Sequence, residues 1–194
     1  HTKTIDEMKK AAPNAKILFV SPDNDHYISS IKEHTTLFGK IFKKEEKAKA
    51  LNHKLSEEVK ETKKVMNNDT VLLLNVDDKG ISVFGPTGRF GGFLNKDLGI
   101  NHADPKMKAN SAGNIVTNEY LNKINPNKLF VINRTKNADD KTLPSALNNK
   151  VIKDMKAIKN HQVYQFEANA WYFSEGGIET TIHQLNKIEK AFKK

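Results

Sequence analysis

Short, unbroken apolar runs constrain this chain more than any other feature. Ile17-Leu-Phe-Val20, Val71-Leu-Leu-Leu-Asn-Val76 and Leu129-Phe-Val-Ile132 are too short for packed helices, and polar or turn-forming residues bound them. Runs of this kind read as strands buried on both faces, which requires helices above and below a sheet. The sequence supplies them. Helical patterning is predicted over 5–11, stopping before Pro13, and over 25–42 with Ile28, Ile31, Leu37, Phe38 and Ile41 on one side. Lys44 to Met66 has neither glycine nor proline and carries a stripe of Ala48, Leu51, Leu55, Val59 and Met66. At 1.5 Å per residue this helix is about 30–35 Å long, enough to join two lobes. Further helices are predicted over 90–98, after Thr117 as N-cap with Glu119 in the first turn, over 144–156, and from Ile178 to the end. Asp77-Asp-Lys-Gly80 reads as the turn of a hairpin between 71–76 and 81–84, and 161–166 reads as a short strand. Alternation of this sort predicts an α/β fold with a central sheet flanked by helices.

The 194 residues carry a formal charge of +9, so the surrounding field favours anionic partners. Nucleic acid is disfavoured, because the lysines are scattered among acids and few aromatics are interleaved with them. No apolar run approaches the roughly 20 residues of a membrane span. Cysteine is absent, which removes thiol nucleophiles and thiolate metal sites.

Only two of the 32 basic residues are arginines, Arg89 and Arg134. Each follows an apolar strand, and strand ends are where open α/β sheets hold ligands. Guanidinium offers a flat, permanently charged, bidentate donor that lysine does not. Arg89 also closes a turn containing Gly85, Pro86 and Gly88, just before the predicted helix at 90–98. Glycines beside a helix start suit an anion site. The plainer alternative is that both arginines tie down loops through carbonyls or a neighbouring carboxylate.

Catalytic patterns fail one by one. His1, His26, His34, His53, His102, His161 and His183 show no metal-ligand spacing. Residues 85–92 match neither a P-loop nor G-x-G-x-x-G, and no G-x-S-x-G occurs. The carboxylate pairs Asp77-Asp78 and Asp139-Asp140 fall in turn-like loops. Cationic and aromatic candidates with no base or nucleophile beside them fit a binder better than a catalyst.

Five segments in one order complete the reading: Phe-Gly-Pro-Thr-Gly-Arg-Phe-Gly-Gly (84–92), Asn-Glu-Tyr-Leu-Asn-Lys-Ile-Asn-Pro (118–126), Leu-Phe-Val-Ile-Asn-Arg (129–134), Lys-Ala-Ile-Lys-Asn (156–160) and Trp-Tyr-Phe-Ser-Glu-Gly-Gly (171–177). Together the set resembles the iron-siderophore substrate-binding lipoproteins of bacterial ABC importers. These belong to the helical-backbone (class III) periplasmic-binding-protein family, in its catecholate and petrobactin-type branch. The resemblance runs from about Ile5 onwards. It implies two α/β lobes joined by a long helix, with residues 1–43 the last part of an N-terminal lobe, 44–68 the connector and 69–194 the C-terminal lobe. It also implies that the chain is a piece of a longer parent.

By the same resemblance, Arg89 and Arg134 match cleft arginines that face the anionic chelate, and Tyr172 matches a cleft tyrosine. Phe90, Trp171 and Asn114 are candidates for lining the ligand, the two aromatics reading first as core. Glu119 matches an acid used to dock the permease, with helix-dipole stabilisation as its plain alternative. Where relatives often carry His-Gly, this chain has Ala112-Gly113, which implies a fully chelated ligand and no protein ligand to iron. Glu175 would oppose an anion unless it pointed away.

The implied protein is not an enzyme, needs no cofactor and holds no metal of its own. It is a monomer outside the cytoplasmic membrane, tethered by a lipid anchor on the parent chain, and it passes a ferric siderophore to an ABC permease. Haem, cobalamin or another chelate as cargo, or an enzyme acting on an anionic metabolite at the same arginines, are the alternatives.

Overall fold

A computed structural model describes residues 2–136, 138–139 and 141–193. His1 and Asp140, both named above, lie outside the described residues. Six strands form one sheet: β1 (Thr70–Asp77), β2 (Gly80–Val83), β3 (Asn101–His102), β4 (Asn114–Val116), β5 (Lys128–Asn133) and β6 (Val163–Phe166). Their order is β4-β2-β1-β5-β6, with β3 beside β1. The β1–β2 hairpin is antiparallel, while β1, β5 and β6 run parallel. The predicted hairpin and α/β class are both present.

The helices are α1 (Thr2–Ala11), α2 (Tyr27–Ile41), α3 (Glu45–Lys64), α4 (Asn118–Ile124), α5 (Lys156–Lys159) and α6 (Ile178–Phe192). Strand alternation divides the core in two. Val71, Leu73, Phe130 and Ile132 face a layer that includes Ile31 of α2, Leu55 of α3 and Leu185 and Ile188 of α6. Leu72, Leu74, Val76, Leu129 and Val131 face Leu121, Leu147, Ile152 and Met155. Burial on both faces is why these strands read as continuous apolar runs. Helix α3 packs against α2 and α6, with Leu55 fully buried on the predicted stripe. Among the described residues no helix is long and apolar enough to cross a membrane.

Four sequence expectations need correction. Residues 16–20 pair with none of the six strands, and Ile17, Leu18 and Phe19 are exposed. Their apolar character is real, but without a neighbouring strand their backbone has no ladder to join. On α2 the predicted stripe divides: Ile28 and Ile31 are buried, whereas Leu37, Phe38 and Ile41 face outwards. The predicted helix over 90–98 contracts to a π-helical turn, Gly92–Asp97. The predicted helix over 144–156 is absent, replaced by a 3₁₀ turn at Ser145–Leu147 followed by further turns. Asn149 explains the break, since its side chain donates to Ala146 O and accepts from Val151 N–H, competing with helical bonding.

Candidate functional site

The carboxyl ends of the parallel strands build the site. β5 ends at Asn133, and the next residue, Arg134, is held there by its N–H donating to Val76 O of β1 (2.7 Å). β6 ends at Phe166 and leads into a π-helical turn, Asn169–Phe173. That turn seats Trp171 in the core, stacked on Phe166 at 4.3 Å with nearly parallel rings, and turns Tyr172 and Phe173 outwards. The β2 end runs through Phe84 into the glycine turn that delivers Arg89.

Arg89, Arg134 and Tyr172 come together. The Arg134 guanidinium lies 3.8 Å from the Tyr172 ring centre, and that of Arg89 lies 4.4 Å from the same ring. Contacts of this kind contribute about 0.5–2 kcal/mol each, more as water is excluded. The two arginines differ in what else holds them. Arg89 donates through Nε to the Glu175 carboxylate, through Nη1 to Ser111 O (3.1 Å) and through Nη2 to Tyr172 O (2.7 Å). It also lies 4.9 Å from the Phe90 ring. The plain reading of a loop clamp therefore describes Arg89 in this structure. Arg134 is less committed: its Nε is buried with no hydrogen-bond partner among the described residues, and Asp77 Oδ2 stands 3.8 Å from Nη1.

Arg134 and Tyr172 open onto a cavity of about 580 Å³, whose lining includes Asn75, Ser82 and Asn114. Asn114 sits on β4, donating to Val83 O and Lys108 O. Of the aromatic lining candidates, Trp171 is wholly buried and Phe90 nearly so. Their first reading as core holds, and the secondary one as ligand lining does not: Trp171 touches no solvent, and Phe90 presents its ring to Arg89. Phe90 adopts φ 62, a left-handed conformation uncommon for a bulky residue. Glu119 stands exposed in the first turn of α4, whose N-cap Thr117 accepts from Tyr120 N–H. It lies outside the cavity lining.

Three residues escaped the sequence reading. Phe173 is 64% exposed, 5.4 Å from Arg134 and edge-on to Tyr172. Its signal was its place in the Trp-Tyr-Phe run. Asn75 is buried, donating to Ser82 Oγ (3.3 Å) while its Oδ1 has no partner among the described residues. As the one polar residue interrupting Val71–Val76, it was visible as a break in an otherwise apolar strand. Ser82 belongs to the same pair.

The loop before β4 is pinned from two sides. Tyr120 donates its hydroxyl to Asp104 (2.7 Å), and burial with that carboxylate raises the phenol's pKa. His102 Nε2–H donates to Phe84 O (2.7 Å), and Asp104 N–H donates to His102 Nδ1 (3.0 Å). Both ring nitrogens are used, so the network suits the neutral imidazole and opposes a second proton. Burial accordingly lowers the His102 pKa below its ordinary 6.5. The folded state then binds fewer protons than the unfolded chain, so this contribution is complete above about pH 6.5 and is lost as pH falls below it. Chemical denaturation at pH 7 and pH 5 should show that loss in wild type and a smaller one in His102→Gln. Equal losses would exclude His102 as the source.

Among the described residues no cluster of three or more His, Cys, Asp or Glu side chains is arranged to hold a metal ion. The arrangement offers two guanidinium groups, exposed and half-buried aromatic faces and a polar cavity floor. It can hold an anionic, ring-bearing ligand.

Comparison with known proteins shows the family. The model of a family described as "Periplasmic binding protein" matches residues 2–170. The petrobactin-binding protein YclQ of Bacillus subtilis is 32% identical over 193 residues, covering 97% of this chain and 59% of its own length. The crystal structure of YclQ superimposes with a TM-score of 0.87 at 30% identity, covering 99% of this chain and 68% of that one. The ferric-anguibactin-binding protein FatB of Vibrio anguillarum is 26% identical over 99% of this chain and 61% of its own. The iron-uptake ABC transporter substrate-binding protein PiuA of Streptococcus pneumoniae superimposes with a TM-score of 0.83 at 30% identity, covering 97% and 67%. The chain thus spans about three fifths of the length of the curated relatives it matches.

Proposed function

We propose that this chain, which belongs to the periplasmic binding protein family, binds a ferric siderophore as an anionic, catecholate-type chelate. On this reading it acts outside the cytoplasmic membrane, as a non-enzymatic monomer, and delivers its cargo to an ABC permease. The observation that carries the reading is the convergence of Arg134 and Arg89 on the Tyr172 ring beside a polar cavity. A ferric catecholate combines delocalised negative charge with aromatic rings, and guanidinium planes and aromatic faces complement both. The relatives' names support the same class of ligand, since YclQ is a petrobactin-binding and FatB a ferric-anguibactin-binding protein.

The further parts of the reading follow the family. Residues before 44 belong with an N-terminal lobe, α3 within 44–68 is the connector, and 69–194 form the C-terminal lobe. The exposed acid Glu119 docks the permease, and a lipid anchor on the parent chain holds the protein at the membrane. Iron is fully chelated by the ligand and takes no protein side chain.

Trp171 is the only tryptophan and lies directly beneath the site, so it reports occupancy. Titration with iron(III) catecholates should quench its fluorescence saturably. The visible spectrum of a loaded sample separates these from haem or cobalamin. Absence of a response to every ferric chelate would overturn the proposal.

A further inference from the structure

Glu175 is the one acid in direct ionic contact with Arg89 among the described residues. The pair is partly exposed, with side chains 17% and 34% accessible, so water screens it less than a fully solvated surface bridge. The backbone that carries Glu175 is held on both sides. Gly176, the next residue, adopts φ +89, and even a methyl group there would come within 2.9 Å of Pro22. On the other side, Trp171 anchors the preceding turn in the core, and Arg89 itself donates to Tyr172 O. Packing on both flanks therefore fixes where the acid starts from, and the ion pair with Arg89 holds its carboxylate.

This has an electrostatic consequence. Two guanidinium groups share one ring, which is self-repulsive unless a counter-charge is present. Glu175 supplies it, and in doing so cancels the charge of one arginine towards anything entering the cavity. Arg134 keeps its charge for a ligand, tempered by Asp77 at 3.8 Å. An incoming chelate meets Arg134 and Lys79 on the cavity wall, with Asp77 on the same wall, while the Arg89–Glu175 pair lies against Tyr172 with its charges cancelled.

We infer that Glu175 sets the ligand charge this site accepts: it is a resident anion on Arg89 that penalises a trianionic chelate relative to a neutral one. The inference rests on the ferric-chelate reading above and names the residue that tunes it. Attraction to a trianion scales with the net charge of the wall facing it, while binding of a neutral chelate depends on shape and hydrogen bonding. Specificity of this sort comes from a repulsive element as much as from attractive ones.

The test compares wild type, Glu175→Gln and Glu175→Ala against two probes, an iron(III) triscatecholate trianion and a neutral iron(III) trihydroxamate, using Trp171 quenching in low and high salt. Both variants should bind the trianion about tenfold more tightly than wild type, which corresponds to about 1.4 kcal/mol. Affinity for the neutral chelate should stay within about twofold, and the gain should shrink as salt rises. Trianion affinity that is unchanged or weaker in both variants overturns the inference. So does a gain of equal size for both chelates. If Gln preserves and only Ala alters binding, Glu175 positions Arg89 by hydrogen bonding and does not act through charge, which also overturns it. Wild type silent to both probes would instead sink the ferric-chelate reading, and this inference with it.

Discussion

Gly92→Ala is expected to destabilise the protein by at least about 3 kcal/mol, above the usual range for overpacking. A Cβ at Gly92 would sit 1.6 Å from Asn24 O and 2.6 Å from Asn24 C. The obstacle is backbone, so no rotamer change relieves it. Nor can either partner retreat. Gly92 opens the π-helical turn, whose Asp97 accepts from Ile28 N–H (2.7 Å) and so ties the start of α2 to the same turn. Asn24 lies in the tight turn that precedes α2, where Asp23 N–H donates to Ser30 Oγ. Separating them would open the joint between the N-terminal residues and the sheet. For a chain of this size the loss corresponds to a fall of about 6–12 °C in Tm. Gly177→Ala is the control: its φ of −81 is ordinary, and its nearest neighbour to a Cβ is 3.4 Å away. That variant should cost no more than about 1 kcal/mol, from loss of a favourable N-cap residue. Thermal unfolding followed by circular dichroism decides between them, and equal melting temperatures would refute the close approach at Asn24.

Gly92 also shows where sequence reasoning stops. The glycines of 85–92 read as an anion-cradling turn, because glycine frees backbone N–H groups to approach a ligand. In the structure the close approaches at Gly85, Gly91 and Gly92 are made by the chain's own backbone, at Lys108, Gly85 with Pro86, and Asn24. Composition cannot say which partner comes close. Strands β1 and β5 are legible because burial on both faces leaves a nearly continuous apolar signature, and α6 is legible because one buried face imposes the helical period. Residues 16–20 carry the same signature as β1 yet pair with nothing in the sheet; a strand is completed by its neighbour, and the neighbour is not local information. The same limit applies to the arginines. Their position after strands marked both as site residues, but only the fold reveals that Glu175, 86 residues on from Arg89, lies against one of them. Phe173 was passed over because exposure, unlike hydrophobicity, is a property of the folded turn.

Those geometric differences rank two residues the sequence treats as equals. Arg134→Ala is expected to weaken ferric-chelate binding about 30-fold or more, since hydrogen bonds made by a charged group contribute about 1.5–3 kcal/mol and the stacked ring contact adds to them. Arg134 holds its guanidinium 3.8 Å from the Tyr172 ring centre and lines the cavity with its side chain 25% exposed, so it has charge to give a ligand there. Arg89→Ala should weaken binding less, about tenfold, because its donors already serve Glu175, Ser111 and Tyr172. Its loss acts by loosening the turn that carries Tyr172. Arg134→Lys should restore only part of the affinity: ammonium returns the charge but neither the planar face against Tyr172 nor the paired donors. Fluorescence titration of the three variants with one iron(III) catecholate gives the ranking directly. An Arg134→Ala affinity within threefold of wild type, or a loss at Arg89 exceeding that at Arg134, would show that the ligand is held elsewhere on the sheet edge or by the arginine assigned here to the clamp.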